Sequence, residues 1–283
     1  MKSVPGVLAA YDGQILDNDK ITFRIPNGVA YDGIFLDTNI PKEAFKRIVV
    51  ANGRDERIKT SGPEIIDLRE KMWGRDVDLT KHPLPIRFNP SDAMTTLAAD
   101  AYPLITTPSD SWMLEIEFGT LGTVPTGGFY CRPKTMTQSL LVPLKGGGFG
   151  TRKEVFRQRI KSHSFTAVQG ENVFDKTPTG VNLAYQAIHI KGGDVKHVEF
   201  EGYVGGQRSY NWELDKPFND YLIETRGQRM NAQAVDGYFT IFPTASGYLL
   251  SDMDGLNFDR VDLILDVETA GQIEIIFDLI EVM

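Results

Sequence analysis

Trp112-Met113-Leu114-Glu115-Ile116-Glu117-Phe118 alternates apolar and polar side chains, so Trp112, Leu114, Ile116 and Phe118 share one face of an extended chain. The pattern returns 149 residues on, where Leu263, Leu265 and Val267 match Leu114, Ile116 and Phe118 within Val261–Val267. Period-two alternation of this kind predicts a strand with one buried and one open face.

Working outward, the two strands prove to be members of a longer series. Pro26-Asn27-Gly28-Val29 recurs as Pro178-Thr179-Gly180-Val181, and Ile34 and Leu36 recur as Ile188 and Ile190. Phe45-Lys46-Arg47-Ile48-Val49-Val50 recurs as Val195-Lys196-His197-Val198-Glu199-Phe200. A helical segment with Asp67, Leu68 and Gly74 recurs with Asp220, Tyr221 and Gly227. Ile86, Phe88 and Pro90 return as Phe239, Ile241 and Pro243, and Leu97 as Leu250. All offsets lie between 149 and 154 residues, in one order. One such pair carries little weight, because apolar alternation is common. A collinear series of strands and a helix at nearly constant spacing predicts a tandem duplication. The plainer alternative is two unrelated β-domains with a similar rhythm of turns.

Each half reads as about eight strands with a helix inserted among them. In the second half strands are expected at Glu154–Phe165, Ala184–Lys191, His197–Tyr203, Arg208–Glu213, Tyr238–Pro243, Tyr248–Met253, Arg260–Val267 and Gln272–Val282. Ile21–Ile25 is expected as a strand of the first half. Helical patterns occupy Pro63–Trp73 and Pro217–Arg226, with Thr151–Ile160 a third candidate. Eight strands in two packed sheets match a jelly roll, so the expected fold is all-β, with jelly rolls over 1–138 and 139–283. The crossing between them is placed near Thr135–Leu144. Gly146-Gly147-Gly148 beyond it lacks a following Lys-Ser/Thr pair and is no phosphate loop.

Composition narrows the class. The chain has 283 residues, long enough for two cores, and 41% of them are hydrophobic. A net charge of −8 argues against broad contact with nucleic acid, although Arg152, Lys153, Arg157, Arg159 and Lys161 cluster in one run. That run is read as a solvated strand face, with anion binding the alternative. Cys131 is the one cysteine, so no intrachain disulfide forms, and a lone thiol in a strand reads as a small buried hydrophobe. Met1-Lys2-Ser3-Val4-Pro5 shows no secretory signal pattern, and no apolar run of roughly 18 residues occurs, so synthesis in a cytoplasm is expected.

Candidate chemistry is sparse, and neither catalytic nor cofactor-binding nor metal-binding residues are assigned. His189 and His197 flank a predicted strand pair, but with His82 and His163 they offer no third ligand at zinc spacing. Asp252-Met253-Asp254-Gly255 with Asp259, and Asp17-Asn18-Asp19, read as acidic turns. A structural calcium ion is the alternative there, without an EF-hand's bidentate Glu. Glu115 and Glu117 share the open face of their strand and are not read as an acid pair. No Gly-x-Ser-x-Gly elbow occurs. Trp73, Trp112 and Trp212 are read as packing residues, with a sugar-stacking platform as the rival. No enzymatic activity is expected.

Several stretches resemble the major capsid proteins of corticoviruses, bacteriophages with a membrane beneath an icosahedral shell. They are Ala187-Ile188-His189-Ile190-Lys191, Val198-Glu199-Phe200 and Asn219-Asp220-Tyr221-Leu222-Ile223-Glu224, followed by Tyr238-Phe239-Thr240-Ile241, Leu249–Met253 and Ala270–Ile276. In the first half Asn52-Gly53-Arg54 and the helix after it agree more loosely. The resemblance implies a double jelly roll that trimerises into capsomers of hexagonal outline and tiles a virion shell. The partners it implies are its own copies, neighbouring capsomers, penton or spike proteins and minor membrane-associated capsid proteins, without direct contact to the genome. A carbohydrate-binding or adhesin-like β-sandwich is the competing reading.

Overall fold

Leu114, Ile116 and Phe118 are all wholly buried in the computed structural model, while Met113, Glu115 and Glu117 between them stay half exposed. The structure describes residues 4–62, 64–73, 75, 83–88, 103–144, 146–180, 182–226, 232–242 and 258–283. The chain forms two units, the first from residues 1–69, 77–158 and 283, the second from 70–76 and 159–282.

In the first unit, chain order runs through β1 (Val4–Val7), β2 (Asp12–Gly13), β3 (Lys20–Arg24), β4 (Val29–Thr38), β5 (Phe45–Asn52) and β6 (Asp55–Thr60). Helix α1 (Glu64–Met72) is followed by β7 (Leu84–Arg87), β8 (Leu104–Ile105), β9 (Trp112–Phe118), β10 (Cys131–Ser139), β11 (Leu141–Pro143) and β12 (Phe149–Thr151). Hydrogen bonding orders one sheet β1-β10-β4-β7, with β8 also on β4, and the other β6-β5-β9-β3-β2. Alternate residues of both sheets are buried: Ile34 and Leu36 from one, Ile48, Val50, Leu114 and Ile116 from the other. Strands β11 and β12 form a separate hairpin.

In the second unit, β13 (Phe156–Ala167), β14 (Gly170–Phe174), β15 (Leu183–Lys191), β16 (Val195–Val204) and β17 (Gln207–Asp215) precede helix α2 (Lys216–Arg226). Then come β18 (Tyr238–Ile241), β19 (Arg260–Val267) and β20 (Gly271–Val282). Its sheets are ordered β18-β15-β20-β13 and β17-β16-β19-β14. These orders are those of the first unit with each strand replaced by its counterpart. Thus β1-β10-β4-β7 becomes β13-β20-β15-β18, and β6-β5-β9-β3 becomes β17-β16-β19-β14. Eight antiparallel strands in two such sheets make a jelly roll, and the chain contains two.

The repeat extends to register. In the first unit Val50 lies opposite Leu114, Ile48 opposite Ile116 and Phe45 opposite Phe118. In the second, Phe200 lies opposite Leu263, Val198 opposite Leu265 and Val195 opposite Val267. Both ladders slip at the same place, between Phe45 and Arg47 and between Val195 and His197. Such a bulge adds one residue to its strand and re-aims the side chains beyond it. The added residue is Lys46 in one unit and Lys196 in the other, and each reaches a carboxylate, Glu117 at 3.0 Å and Glu268 at 2.7 Å. The repeated Pro-x-Gly turns also have matching partners. Tyr31 donates its hydroxyl to the Pro26 carbonyl at 2.8 Å, and Tyr185 donates to that of Pro178. Burial pushes the Tyr31 phenol up to about 12 and the Tyr185 phenol upward too, so both stay protonated donors.

One expectation needs correction, and one strand goes unread. Thr151–Ile160 is not helical: Phe156 onward enters β13, because the alternation that buries Gln158 and Ile160 has period two. Strand β14 goes unread in the sequence because its pattern is inverted, with apolar Val173 outward and 57% exposed and only Phe174 buried. Of the segment Thr135–Leu144, where the crossing is expected, Thr135–Ser139 pair with β4 in the first unit. The expected strand Tyr248–Met253, the pairs Pro90/Pro243 and Leu97/Leu250, His82 and Asp252–Gly255 lie outside the described residues.

Candidate assembly surface

The polar residues singled out in the sequence resolve into separate structural tasks. His189 sits on β15 with its Nδ1 3.1 Å from the Thr240 hydroxyl. His197 sits on β16, in the other sheet, with its Nδ1 2.8 Å from Asp215. The two therefore do not share a site. No group of three or more potential metal-ligating side chains occurs among the described residues. Asp17 and Asp19 spend their carboxylates on the backbone N–H groups of Leu121 and Lys20, both at 2.8 Å, and Asn18 between them adopts φ 57°. Asp259 likewise accepts from the Gly205 N–H. Carboxylates used this way stabilise turns.

Glu115 and Glu117 face outward, as expected, and pair with Lys20 at 2.9 Å and Lys46 at 3.0 Å. Trp112 is buried under the Arg57 guanidinium, 5.9 Å from the ring centroid. Trp212 packs on the core of the second unit, and Trp73 meets Phe242 edge-on at 5.7 Å. The three do not form one exposed platform. Cys131 is buried, and desolvation with help from the Asp37 charge pushes its thiol up to about 12. Such a thiol is unreactive at neutral pH. Among the described residues no helix is long and apolar enough to cross a membrane.

The basic run is mostly neutralised. Arg157 binds Glu154 at 2.8 Å and Asp55 at 3.3 Å, Arg159 binds Glu281 at 2.9 Å, and Arg152 is buried. Sequence reading overlooked the residue that organises this region. Arg57, on β6 of the first unit, is wholly buried, pairs with Glu154 and donates its Nε–H to the Gln158 carbonyl at 3.1 Å. Burial draws its guanidinium below the ordinary value, while Glu154 draws it back up. The cluster ties residues 154–158 to β6. Its only sequence signal is an Arg in the charged run Asp55-Glu56-Arg57-Ile58-Lys59, which is too common to be read alone.

A second polar cluster lies on the second unit. Glu201 of β16 accepts hydrogen bonds from the Tyr203 hydroxyl at 2.5 Å and from Arg208 of β17. Arg260 of β19 lies 4.1 Å from the centroid of the Tyr203 ring and 2.9 Å from Asp262. The Tyr203 and Arg208 bonds hold the Glu201 carboxyl below the usual carboxylate range.

Several large apolar side chains are left in solvent. In the β11–β12 hairpin Leu141, Leu144 and Phe149 are exposed. Gly147 and Gly148 close the hairpin with φ 90° and 82°, which L side chains rarely adopt. On the first jelly roll a cleft of about 450 Å³ is lined by Pro5, Gly6, Val7, Phe35, Pro83, Lys134, Thr135 and Met136. On the second, a cleft of about 950 Å³ lies beside α2, whose Phe218 and Tyr221 rings are exposed and stacked at 6.4 Å. Charges round that cleft are paired, Lys196 with Glu268 and Lys216 with Asp220.

Comparison with known proteins bears on what such surfaces serve. The family models described as the viral coat protein P2 N-terminal and C-terminal domains match residues 14–132 and 157–283. The major capsid protein P2 of bacteriophage PM2 superposes with a TM-score of 0.75 at 18% identity, over 99% of this chain and 98% of that one. The major capsid protein of Sulfolobus turreted icosahedral virus gives 0.66 at 10% identity, over 100% and 97%. The PBCV-1 virus capsid gives 0.66 at 8%, over 99% and 94%. No curated protein sequence matches the chain.

Proposed function

Because the chain belongs to the viral coat protein P2 family, with both domain models matched, we propose that three copies form a capsomer of pseudo-hexagonal outline, and that such capsomers tile an icosahedral shell around an internal membrane. As a coat protein it is a major capsid protein located in the virion shell, and its role is structural and not catalytic.

The trimer reading rests above all on the repeated strand order and register. Two jelly rolls that share sheet order, bulge position and opposed core pairs are near-equivalent walls. Three chains then supply six such walls, enough for six-neighbour positions in a lattice, while closed rotation keeps the assembly finite. On this reading the jelly rolls divide at 138/139. Partners beyond the trimer are neighbouring capsomers, a penton or spike protein and minor membrane-associated capsid proteins. The net charge of −8 and the paired arginines of residues 154–159 favour a tile that does not touch the genome.

Light scattering on the purified protein tests the trimer. A mass three times the 31.6 kDa chain, with hexagonal particles in negative stain, is the expected result. A monomer that persists at all attainable concentrations refutes it.

A further inference from the structure

We infer that the β11–β12 hairpin of one copy seats Phe149 and Leu144 in the cleft on the β1–β10–β4 sheet of a second copy, making a head-to-tail contact between coat proteins. This rests on the coat-protein reading, and it names which surfaces meet.

Two observations carry it. The most exposed large apolar side chains among the described residues are Phe149, at 70%, and Val7, at 68%. One tips the hairpin and the other rims the cleft, and in the isolated chain each is left in water. Exposed apolar side chains gathered on one small element, as Leu141, Leu144 and Phe149 are on the hairpin, mark an interaction site on a folded protein. The hairpin also stands alone as two three-residue strands, which are marginal in water without a partner surface.

The cleft is built to receive an apolar anchor. Ile34 and Leu36 of β4 turn into the core, so Phe35 between them turns outward. Its ring carries the Arg87 guanidinium 5.4 Å from the centroid, and Lys134 at the rim is neutralised by Asp37 at 2.9 Å. A Cβ at Gly6 would come within 2.8 Å of the Thr135 hydroxyl, so glycine lets β1 lie close against β10 at the cleft floor. An aromatic side chain entering a desolvated pocket is the usual energetic centre of a protein interface. The occupant is a second copy because a coat protein's working contacts are with itself. Knob and cleft are different surfaces, so the contact can run head to tail from one copy to the next. Repeated with a closing rotation it forms a ring, as a trimer requires.

Mixing two single variants tests the pairing, with buried Cys131 unable to interfere. Val7→Cys and Phe149→Cys proteins, mixed and mildly oxidised, are expected to give a disulfide-linked dimer that neither variant gives alone. Val7→Asp and Phe149→Asp are each expected to weaken association at least tenfold without shifting the melting temperature of the monomer. Cross-linking within one variant alone, or wild-type association by both Asp variants, overturns the knob-and-cleft contact and leaves the coat-protein reading standing. A wild-type chain that never associates overturns both.

Discussion

At the scale of the residue, Arg57 shows how a buried charge constrains the chain around it. Its pairing with Glu154 is retained less for its net energy than because either partner alone would be stranded. Glu154→Ala is expected to destabilise the first unit by about 3–5 kcal/mol in urea melts, whereas Arg57→Met with Glu154→Leu costs far less. Phe200 is the aromatic hub of the other core, with Tyr185, Tyr210 and Phe258 ring centroids at 5.9, 6.0 and 6.2 Å. Phe200→Ala is expected to cost about 3–5 kcal/mol, measured the same way. Glu201 gives a pH signature. Its folded pKa lies below its unfolded value, so its stabilisation is present above the unfolded pKa and lost as pH falls through the folded one. Melting temperature should therefore fall on acidification below about pH 4–5, and Glu201→Gln should flatten that fall. An unchanged pH slope in the variant would remove Glu201 as the cause.

At the scale of the element, each bulge and each helix does a defined job. The bulged residues Lys46 and Lys196 re-set side-chain parity, so that hydrophobic residues on both sides of the bulge reach the core. Helix α2 starts with Pro217 in its first turn, where the missing N–H costs nothing, and Lys216 pairs with Asp220 one turn on at 2.9 Å. Its anchor is buried Asn219, which donates to the Thr240 carbonyl of β18 at 2.8 Å. Asn219→Ala leaves that carbonyl without its donor and is expected to cost about 1–3 kcal/mol. Hydrogen exchange should quicken first in α2 and β18, and a uniform change across the second unit would contradict a local anchor.

At the scale of the whole molecule, duplication puts two cores in one chain. Each has its own buried cluster, Leu114 and Ile116 central in one, Leu263 and Leu265 in the other. Calorimetry is expected to resolve two unfolding transitions, and Phe200→Ala should lower only one of them. A single transition that shifts as a whole would show that the jelly rolls unfold together. In the proposed trimer the same duplication would present six similar walls.

Local alternation and its recurrence were determined by the sequence alone. Leu114, Ile116 and Phe118 and their counterparts Leu263, Leu265 and Val267 were legible because period two is a property of the backbone, whatever packs above it. The collinear repeat disclosed duplication, and strand count disclosed the jelly roll. Strand β14 was not legible, since Val173 faces outward and its pairing with β19 is a long-range event. Nor were the Arg57–Glu154 pair, whose members lie 97 residues apart, the shared bulge, which depends on a one-residue slip, or the two tyrosines that brace the Pro-x-Gly turns, because a hydroxyl's aim at a carbonyl 5 or 7 residues back is set only once the strand is packed. The exposed hairpin and the cleft needed the tertiary structure most. An apolar residue reads the same in a sequence whether its own core buries it or a second molecule must, and only the folded chain shows which side chains it leaves uncovered.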